Sequence, residues 1–340
     1  MKLIKSVFAL IALTFFFQSC SNTKTIFKIQ KETTFEFIQY GSDTIHARGI
    51  AVFNDKIYTA NSNGFVYSYD LKNKISDKLN EFPMVELRDI AVINDSAFIA
   101  MQSNDKSVIF SKNGKVKTEW LPNLATFFDG IDINNHGFGI LMGDPIDGEL
   151  QVYLTKDFGK TWNKSSHPEL KCTKGEAGFA ASGTTVQVLN DSTFYFVSGG
   201  MASNLYKTSD FGLTWSKSPI PFKKSEASGP FSTHFWNEKN GICVGGDYML
   251  PNDTLDNCFL TRDGGKSWFK PNKTISGYKS CVIKTGKTLY ACGTNGIDFS
   301  IDLGLTWYKI TDENTFSMTS FENKIYATTT KGRILVFEEF

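Results

Sequence analysis

The 340-residue sequence predicts an all-β fold, a seven-bladed β-propeller in which each blade is a four-stranded antiparallel sheet. The first observation is a turn motif, the Asp-box, of the form Ser/Thr-X-Asp-X-Gly-X-Ser/Thr-Trp. It occurs at residues 155–162, 208–215, 261–268 and 300–307. The second observation is the spacing of these copies. Their aspartates lie 53, 53 and 39 residues apart, close to the length of one blade.

Each residue type of the Asp-box has a mechanical role in a tight turn. The Asp carboxylate and the hydroxyl groups form hydrogen bonds inside the turn, the Gly adopts positive φ, and the Trp wedges between adjacent sheets. The box is therefore predicted to be structural and not catalytic. The structural positions are Asp157, Gly159, Trp162, Asp210, Gly212, Trp215, Asp263, Gly265, Trp268, Asp302, Gly304 and Trp307.

The third observation is the strand count at the two ends of the propeller. Short β-branched or aromatic runs recur between turn signals along the chain. Residues 316–340 contain only three such runs, whereas residues 34–40 form a run that precedes the first blade. Pairing the two predicts that the N-terminal strand completes the last blade, which removes exposed sheet edges. The propeller domain is predicted to span residues 33–340.

The first residues predict a lipoprotein signal peptide over residues 1–19. A short basic segment at residues 1–5 precedes an apolar run at residues 7–17, which is too short for a permanent membrane span. Ser19-Cys20 at the end of this run is typical of a lipobox, so we expect acylation of Cys20. The alternative is an ordinary secretory signal with an incidental cysteine.

Acylation of Cys20 would make residues 20–32 a lipidated tether and the protein a cell-envelope lipoprotein. Ser21 does not resemble an inner-membrane retention signal, so the outer membrane is favoured. Whether the anchored domain faces the periplasm or the exterior stays open.

Composition and motifs argue against several classes of partner and cofactor. The 36 basic and 35 acidic residues balance, so no overall field favours nucleic acid. We find no dinucleotide-binding glycine pattern and no redox Cys-X-X-Cys, and therefore expect no cofactor. The four histidines are scattered, so no metal site is expected. We find no linker that divides the chain, and we expect a monomer.

The cysteines after Cys20 leave two alternatives open. Cys243 and Cys258 are expected on adjacent strands of the fifth blade, where an oxidising envelope would permit a disulfide. Sequence does not define the register that such a bond requires. Free buried thiols are an equal alternative for this pair and for Cys281 and Cys292.

Nearly the whole mature sequence resembles the bacterial branch of the photosystem II stability/assembly factor-like family. Beyond the boxes, the resemblance rests on Phe127-Phe128-Asp129-Gly130, Gly143-Asp144-Pro145-Ile146-Asp147-Gly148, Phe179-Ala180-Ala181-Ser182-Gly183, Ser198-Gly199-Gly200, Gly245-Gly246-Asp247-Tyr248 and Gly277-Tyr278-Lys279-Ser280. It implies a seven-bladed propeller that acts as an extracytoplasmic assembly or binding factor. The predicted lipid anchor differs from a plastid targeting segment, so we expect a partner other than photosystem II.

These family motifs fall where a propeller presents its ligand face. The loops that enter each innermost strand and leave each second strand surround the mouth of the central channel. We expect a protein or peptide partner there, and expect Arg48 and Arg88 to stand side by side as donors to a carboxylate. The predicted binding face comprises Arg48, Arg88, Asp129, Asp144, Glu176, Asp247, Tyr248, Tyr278 and Lys279.

An enzyme is the less favoured alternative, and no catalytic residue is predicted. A sialidase needs three converging arginines, and only two of the four arginines fall on the predicted face. A glycoside hydrolase needs only two carboxylates. The candidates on the face keep a hydrolase or a glycan-binding module as the alternative, namely Asp129, Asp144, Glu176 and Asp247.

Overall fold

The computed structural model describes residues 25–26, 28–79, 86–94, 97–102, 107–112, 115–120 and 127–340. Cys20 and the predicted signal peptide lie outside the described residues, so both remain predictions. Within the described ranges, no helix is both long and apolar enough to cross a membrane.

The described part of the chain is almost entirely β-structure, as predicted. In chain order the strands are β1 (Glu36–Gln39), β2 (Ala47–Phe53), β3 (Lys56–Asn61), β4 (Val66–Asp70), β5 (Ile75–Lys78), β6 (Leu87–Asn94), β7 (Ala97–Gln102), β8 (Ser107–Lys112), β9 (Lys115–Trp120), β10 (Phe128–Ile133), β11 (Gly139–Ile146), β12 (Glu149–Thr155), β13 (Asn163–Ser165), β14 (Glu176–Ala177), β15 (Val186–Val188), β16 (Phe194–Gly200), β17 (Asn204–Thr208), β18 (Ser216–Pro219), β19 (Ser228–Phe235), β20 (Gly241–Asp247), β21 (Cys258–Thr261), β22 (Cys281–Thr285), β23 (Thr288–Gly293), β24 (Gly296–Ser300), β25 (Tyr308–Thr311), β26 (Thr315–Phe321), β27 (Lys324–Thr329) and β28 (Arg333–Glu338). A single turn of 3-10 helix lies at Pro168–Leu170.

Consecutive strands pair into antiparallel sheets that follow one another along the chain. The sheets formed by the described strands are β2–β5, β6–β9, β10–β13, β14–β18, β19–β21, β22–β25 and β26–β28 with β1. The innermost strands lie side by side in the order β2, β6, β10, β15, β19, β22 and β26, and β26 returns to contact β2. In the last sheet β1 pairs with β28, with Phe37 opposite Leu335.

The hydrogen bonds of the first Asp-box show how the sequence builds its turn. The Thr155 hydroxyl donates to Asp157 at 2.8 Å and accepts from the Gly159 N–H at 3.0 Å, while the Thr161 N–H donates to Asp157 at 2.9 Å. The other boxes repeat this pattern. Gly159 has φ 73°, and the preceding Phe158 also has positive φ, 62°. The turn therefore holds two successive residues in the left-handed conformation. The sequence predicted this conformation only for the glycine.

The box tryptophans pack between neighbouring sheets. Trp215 is buried among side chains of the β10–β13 and β14–β18 sheets, and its indole N–H donates to Ser165 of β13 at 3.0 Å. Trp307 is buried between the β19–β21 and β22–β25 sheets. Each box thus joins its own sheet to the preceding one through apolar burial.

Two segments depart from the sequence predictions. The β19–β21 sheet has three strands where four were predicted, because the fourth is reduced to an isolated bridge between Leu260 and Phe269. Pro271, which has no N–H donor, follows this bridge. In the predicted tether, residues 25–26 and 28–32 are helical, and Ile26 is buried in the core beside the β22–β25 and β26–β28 sheets. Part of that segment therefore packs on the folded domain.

Candidate functional site

Bulges at the entry to the innermost strands aim side chains toward one face. Arg48 and Arg88 are the second residues of β2 and β6, and in both strands the pairing register shifts at that position. Phe231 in β19 and Phe316 in β26 lie at comparable shifts. A bulge leaves one residue unpaired and redirects its side chain. These residues come together at the predicted binding face.

Arg48 and Arg88 contact one carboxylate, that of Glu86. The Arg88 Nη2 atom lies 2.9 Å from Glu86 Oε2, and the Arg48 Nε atom lies 3.4 Å from Glu86 Oε1. His46 Nε2 lies 3.6 Å from the same Oε1. We call Arg48, Glu86 and Arg88 the arginine–glutamate cluster. The two arginines therefore stand side by side as expected, but a carboxylate of the same chain lies between them.

The electrostatics of the arginine–glutamate cluster favour an ionised carboxylate. Burial raises the pKa of Glu86, but the hydrogen bond from His46 and the charges of Arg88 and Arg48 outweigh it, so the pKa lies below its ordinary value. Glu86 was absent from the sequence prediction. Its position two residues before Arg88 was the available signal, because residues two apart in an extended segment share a face.

Aromatic rings flank the arginine–glutamate cluster. The Arg48 guanidinium lies 5.4 Å from the Phe316 ring centre, and that of Arg88 lies 5.8 Å from the Phe127 ring centre. Arg88 Nη1 also donates to the Ala180 carbonyl at 3.4 Å. Guanidinium groups over ring faces are attracted by the ring quadrupole. These contacts add to those with Glu86 in fixing the positions of the two arginines.

A second group of rings, which we call the aromatic cluster, continues this face. It consists of Phe179, Phe231, Tyr248 and Tyr278. Phe179 stacks on Phe231 at 4.0 Å, while Tyr278 and Tyr248 contact Phe231 edge-on at 4.8 and 6.1 Å. Burial raises the pKa of Tyr278, and the nearby charge of Arg48 opposes that rise. Phe179 precedes Ala180, whose carbonyl accepts from Arg88, so the aromatic cluster lies beside the arginine–glutamate cluster. Phe231 and Tyr278 are buried, with 3% and 5% exposure, which corrects the prediction that the Tyr278 side chain contacts a partner, whereas Tyr248 is exposed.

Glu176, predicted to lie on the binding face, is instead an internal anchor with 2% exposure. Its Oε1 atom accepts hydrogen bonds from Ser198, Asn204 and Tyr206, and its Oε2 atom lies 3.1 Å from Lys217 Nζ. Burial raises the pKa of Glu176, but the hydrogen bonds outweigh it and leave the pKa lowered. Glu176 ties β14 to β16–β18 and does not face a partner, which corrects the prediction.

Lys279 is likewise buried, with 0% exposure. Its ammonium group lies 2.7 Å from Asp298 and donates to the Asn295 side chain at 2.8 Å and the Gly296 carbonyl at 3.0 Å. Burial lowers the pKa of Lys279, while the charge of Asp298 opposes that fall. Lys279 was predicted to begin an innermost strand, whereas β22 begins two residues later, at Cys281. The side chain turns into the sheet because Asp298 on β24 offers the charge partner there, so Lys279 is not a surface contact.

The predicted face aspartates have structural surroundings. Asp247 accepts hydrogen bonds from the Met249 N–H at 3.0 Å and the Ser225 hydroxyl at 3.3 Å, and so caps a turn. Asp144 accepts from the Gly178 N–H at 3.1 Å, and burial nevertheless raises its pKa. Asp129 is buried, and its Oδ2 atom has no hydrogen-bond partner in the described part of the chain. Burial and the charge of Asp144 raise the pKa of Asp129 well above its ordinary value, with Arg88 opposing.

Asp129→Asn is expected to raise the free energy of unfolding by about 2 kcal/mol at pH 8. The native state holds the carboxyl protonated at pH values where the unfolded chain releases that proton. Stability is therefore lost as pH rises above the ordinary carboxyl pKa toward the raised native value. The gain from Asn should shrink toward pH 4. Urea unfolding at pH 4, 6 and 8 measures this difference. The exposed Asp147→Asn serves as control, and a pH-independent effect at Asp129 would contradict the expectation.

Residues 182–184 line a cavity that Phe158 of the first Asp-box also lines, and we call this side of the molecule the Asp-box side. The Ser182 hydroxyl donates to the Ser280 carbonyl at 2.6 Å, and the Ser317 hydroxyl donates to the Ser182 carbonyl at 3.1 Å. Gly183 packs against buried Asp89, which would lie 2.1 Å from an added Cβ. The cavity, of about 790 Å³, begins at this segment and continues between the innermost strands.

Three titratable groups line that cavity, Asp89, Asp132 and His234, and burial raises the pKa of Asp89 well above its ordinary value. Burial raises the pKa of Asp132 to about 6 and lowers the pKa of His234 to about 4. Asp132 accepts a hydrogen bond from the Val188 N–H at 2.7 Å, which ties β10 to β15. This contact gives Asp132 a structural role between neighbouring sheets.

The described residues contain no group of three or more His, Cys, Asp or Glu side chains that could hold a metal ion. The buried cysteines are free thiols. Cys243 lies opposite Phe259 and not opposite Cys258, whereas Cys281 lies directly opposite Cys292. The sequence analysis considered Cys243 and Cys258 as a pair. The strand register instead places Cys281 and Cys292 directly opposite each other.

Comparison with known proteins identifies the fold. A family model described as "Sortilin, neurotensin receptor 3" matches residues 150–295, a stretch that includes three of the Asp-boxes. A xyloglucanase from a Paenibacillus species is 23% identical over 241 residues, which cover 58% of this chain and 23% of that enzyme. The chain thus spans about a quarter of the length of the curated relative that it matches.

Solved structures resemble the chain over most of its length. Virginiamycin B lyase from Staphylococcus aureus superposes with a TM-score of 0.69 at 14% identity, covering 91% of this chain and 100% of the lyase. YCF48 bound to a D1 peptide gives 0.60 at 12% identity, with 90% and 97% covered. The WD40 β-propeller domain of Doa1 gives 0.64 at 9% identity, with 90% and 97% covered. Likeness at such identities shows the fold alone, and the chain is a β-propeller.

Proposed function

We propose that this chain is a seven-bladed propeller of the photosystem II stability/assembly factor-like type, and that it binds a polypeptide without catalysing a reaction. The succession of seven sheets and the pairing of β1 with β28 support the blade count and the closure of the ring. The observation that carries the function is the arginine–glutamate cluster beside the aromatic cluster. YCF48, which has the same fold, is described as bound to a D1 peptide.

The arginine–glutamate cluster supports recognition of a carboxylate. Guanidinium groups match carboxylates in geometry and charge, and Arg48 and Arg88 already hold one. A side-chain or C-terminal carboxylate of a ligand would replace Glu86, which is only partly buried and can turn toward solvent. Phe179 and Tyr248, the two rings of the aromatic cluster that are not buried, would receive apolar parts of the same ligand, because aromatic surfaces favour such contacts.

The alternative of a glycoside hydrolase or glycan-binding module draws support from the similarity to a xyloglucanase. Hydrolysis needs two carboxyl groups facing the substrate, roughly 5–10 Å apart. Of the four candidates, Asp129 and Glu176 are buried and Asp247 caps a turn, which leaves Asp144 as the most exposed. These surroundings favour polypeptide binding over hydrolysis.

The double change Arg48→Ala, Arg88→Ala is expected to weaken peptide binding about ten-fold or more, because the ligand carboxylate loses both donors. The probe is a fluorescein-labelled hexapeptide pool of the form X-Leu-X-X-X-Asp with a free C-terminus, and its amidated counterpart ends in Asn. Fluorescence polarisation at two salt concentrations should show tighter, salt-sensitive binding of the acidic pool to the wild type. Glu86→Gln should tighten binding of the acidic pool further, because it removes the carboxylate that competes for the two arginines.

The matched control is Lys160→Ala, Lys164→Ala, which removes the same charge from exposed positions on the Asp-box side. Equal binding of acidic and amidated pools by the wild type would contradict the proposed function. Release of reducing ends from xyloglucan by the wild type, lost in Asp144→Asn, would favour the hydrolase alternative.

We also propose that Cys20 anchors the domain to the outer membrane. The lipobox-like end of the apolar run supports this, since three acyl chains at about 0.8 kcal/mol per buried CH₂ hold a protein durably. Wild-type protein should incorporate a palmitate analogue and sediment with membranes, whereas Cys20→Ala should not be labelled. Unlabelled wild-type protein would contradict the anchor.

A further inference from the structure

The loop that follows β20 exposes large apolar side chains. Tyr248, Met249, Leu250 and Leu255 are 49%, 68%, 50% and 60% exposed, and we call residues 248–255 the apolar loop. The other exposed large apolar residues of the described part are far apart along the chain: Phe37, Ile75, Met201, Leu213 and Leu303. A contiguous exposed apolar patch marks an interaction site more often than scattered residues do.

The backbone of the apolar loop is held by hydrogen bonds. The Leu250 N–H donates to the Asp247 carbonyl at 3.0 Å, and the Asp253 N–H donates to the Leu250 carbonyl at 2.9 Å. The Pro251 carbonyl accepts from the Tyr278 N–H at 2.9 Å and the Asn295 side chain at 3.0 Å. The apolar side chains are therefore presented by a preformed loop, which lowers the entropic cost of binding.

The apolar loop is continuous with the proposed peptide site. Tyr248 belongs to both the loop and the aromatic cluster, where its ring lies 6.1 Å from Phe231. Phe231 stacks on Phe179 at 4.0 Å, and the carbonyl of the next residue, Ala180, accepts from Arg88 Nη1 at 3.4 Å. The apolar loop and the arginines are thus joined by successive contacts, and a short extended peptide, at about 3.3 Å per residue, can lie along them.

The charges around the apolar loop argue against a lipid surface. Residues 247–257 contain Asp247, Asp253 and Asp256 and no lysine or arginine. Interfacial segments that bind anionic membranes carry basic residues beside their apolar ones. The three aspartates would repel an anionic membrane, whereas they do not repel an uncharged apolar side chain of a polypeptide.

We propose that the apolar loop forms the second half of the peptide site and receives a leucine-sized or phenylalanine-sized side chain of the ligand. This inference rests on the proposed function, in which Arg48 and Arg88 hold a carboxylate of the same peptide. The surface thereby selects acidic peptides with an apolar residue about four positions from the carboxylate.

The test compares X-Leu-X-X-X-Asp with X-Ala-X-X-X-Asp, two labelled hexapeptide pools that differ only in the apolar position. The wild type should bind the leucine pool about ten-fold more tightly than the alanine pool. Met249→Ser, Leu250→Ser should abolish this preference without changing affinity for the alanine pool. The control Leu213→Ser, Leu303→Ser, with exposed side chains in Asp-box turns, should keep it.

The outcomes separate this inference from the proposed function. Equal affinity of the wild type for both acidic pools, above that for the amidated pool, would leave the proposed function standing and overturn the role of the apolar loop. Failure of every pool to bind would contradict both. Wild-type binding to phosphatidylcholine/phosphatidylglycerol vesicles, or a wild-type dimer in sedimentation, lost in Met249→Ser, Leu250→Ser, would assign the loop to lipid or to a second copy instead.

Discussion

Lys279→Met is expected to lower the free energy of unfolding by about 4 kcal/mol, because it leaves the buried carboxylate of Asp298 without its charge partner. Removing one member of a buried ion pair costs far more than replacing both. Urea unfolding with a far-ultraviolet signal for β-structure measures the change.

The matched variant is Lys279→Met, Asp298→Asn. Asparagine keeps an acceptor for the Ser276 hydroxyl, which donates to Asp298 at 2.8 Å, and carries no charge. This double variant should recover at least half of the lost stability. A single variant within about 1 kcal/mol of the wild type would show that Lys279 is not the internal anchor described above.

Trp215→Ala is expected to lower the free energy of unfolding by about 3–5 kcal/mol, as for large aromatic truncations in cores. The change opens a cavity between the β10–β13 and β14–β18 sheets and leaves the Ser165 hydroxyl without its donor. Calorimetry and urea unfolding report the loss. Peptide affinity of the folded fraction should stay unchanged, since Trp215 lies in an Asp-box turn.

The control for Trp215 lies in the same turn. Leu213 is 80% exposed, so Leu213→Ala should change stability by about 0.5 kcal/mol or less. A large loss of peptide affinity in Trp215→Ala with unchanged stability would instead assign a binding role to the Asp-box side.

Local features of the fold were predictable because they depend on residues close in sequence. The Asp-box turn involves residues within eight positions, and each of its hydrogen bonds joins residues at most four apart. The strand at residues 36–39 was predicted because residues 316–340 contain only three strand signals and lack a fourth. It pairs with β28. The β19–β21 sheet differs from the prediction of four strands, because its fourth segment is a single bridge at Phe269, followed by Pro271, which has no N–H donor.

The residues of the predicted binding face differ in exposure, and the sequence did not indicate which are buried. The side chains of Arg48, Arg88 and Tyr248 reach solvent. Glu176 begins β14 and Lys279 lies two residues before β22, yet both side chains turn inward. Their partners, Tyr206 and Asp298, lie 30 and 19 residues away along the chain. No local pattern indicates which of two directions a side chain takes.

The sequence by itself determined the β-propeller class and the Asp-box turns, since periodicity and turn chemistry are local. Tertiary structure alone decided that Glu86 lies between Arg48 and Arg88, and that Phe231 joins Tyr248 to Tyr278. Those contacts arise where bulged strands of different blades converge at the ring centre. The physical reason is that a bulge changes the direction of one side chain through strand pairing, which depends on residues of the neighbouring strand.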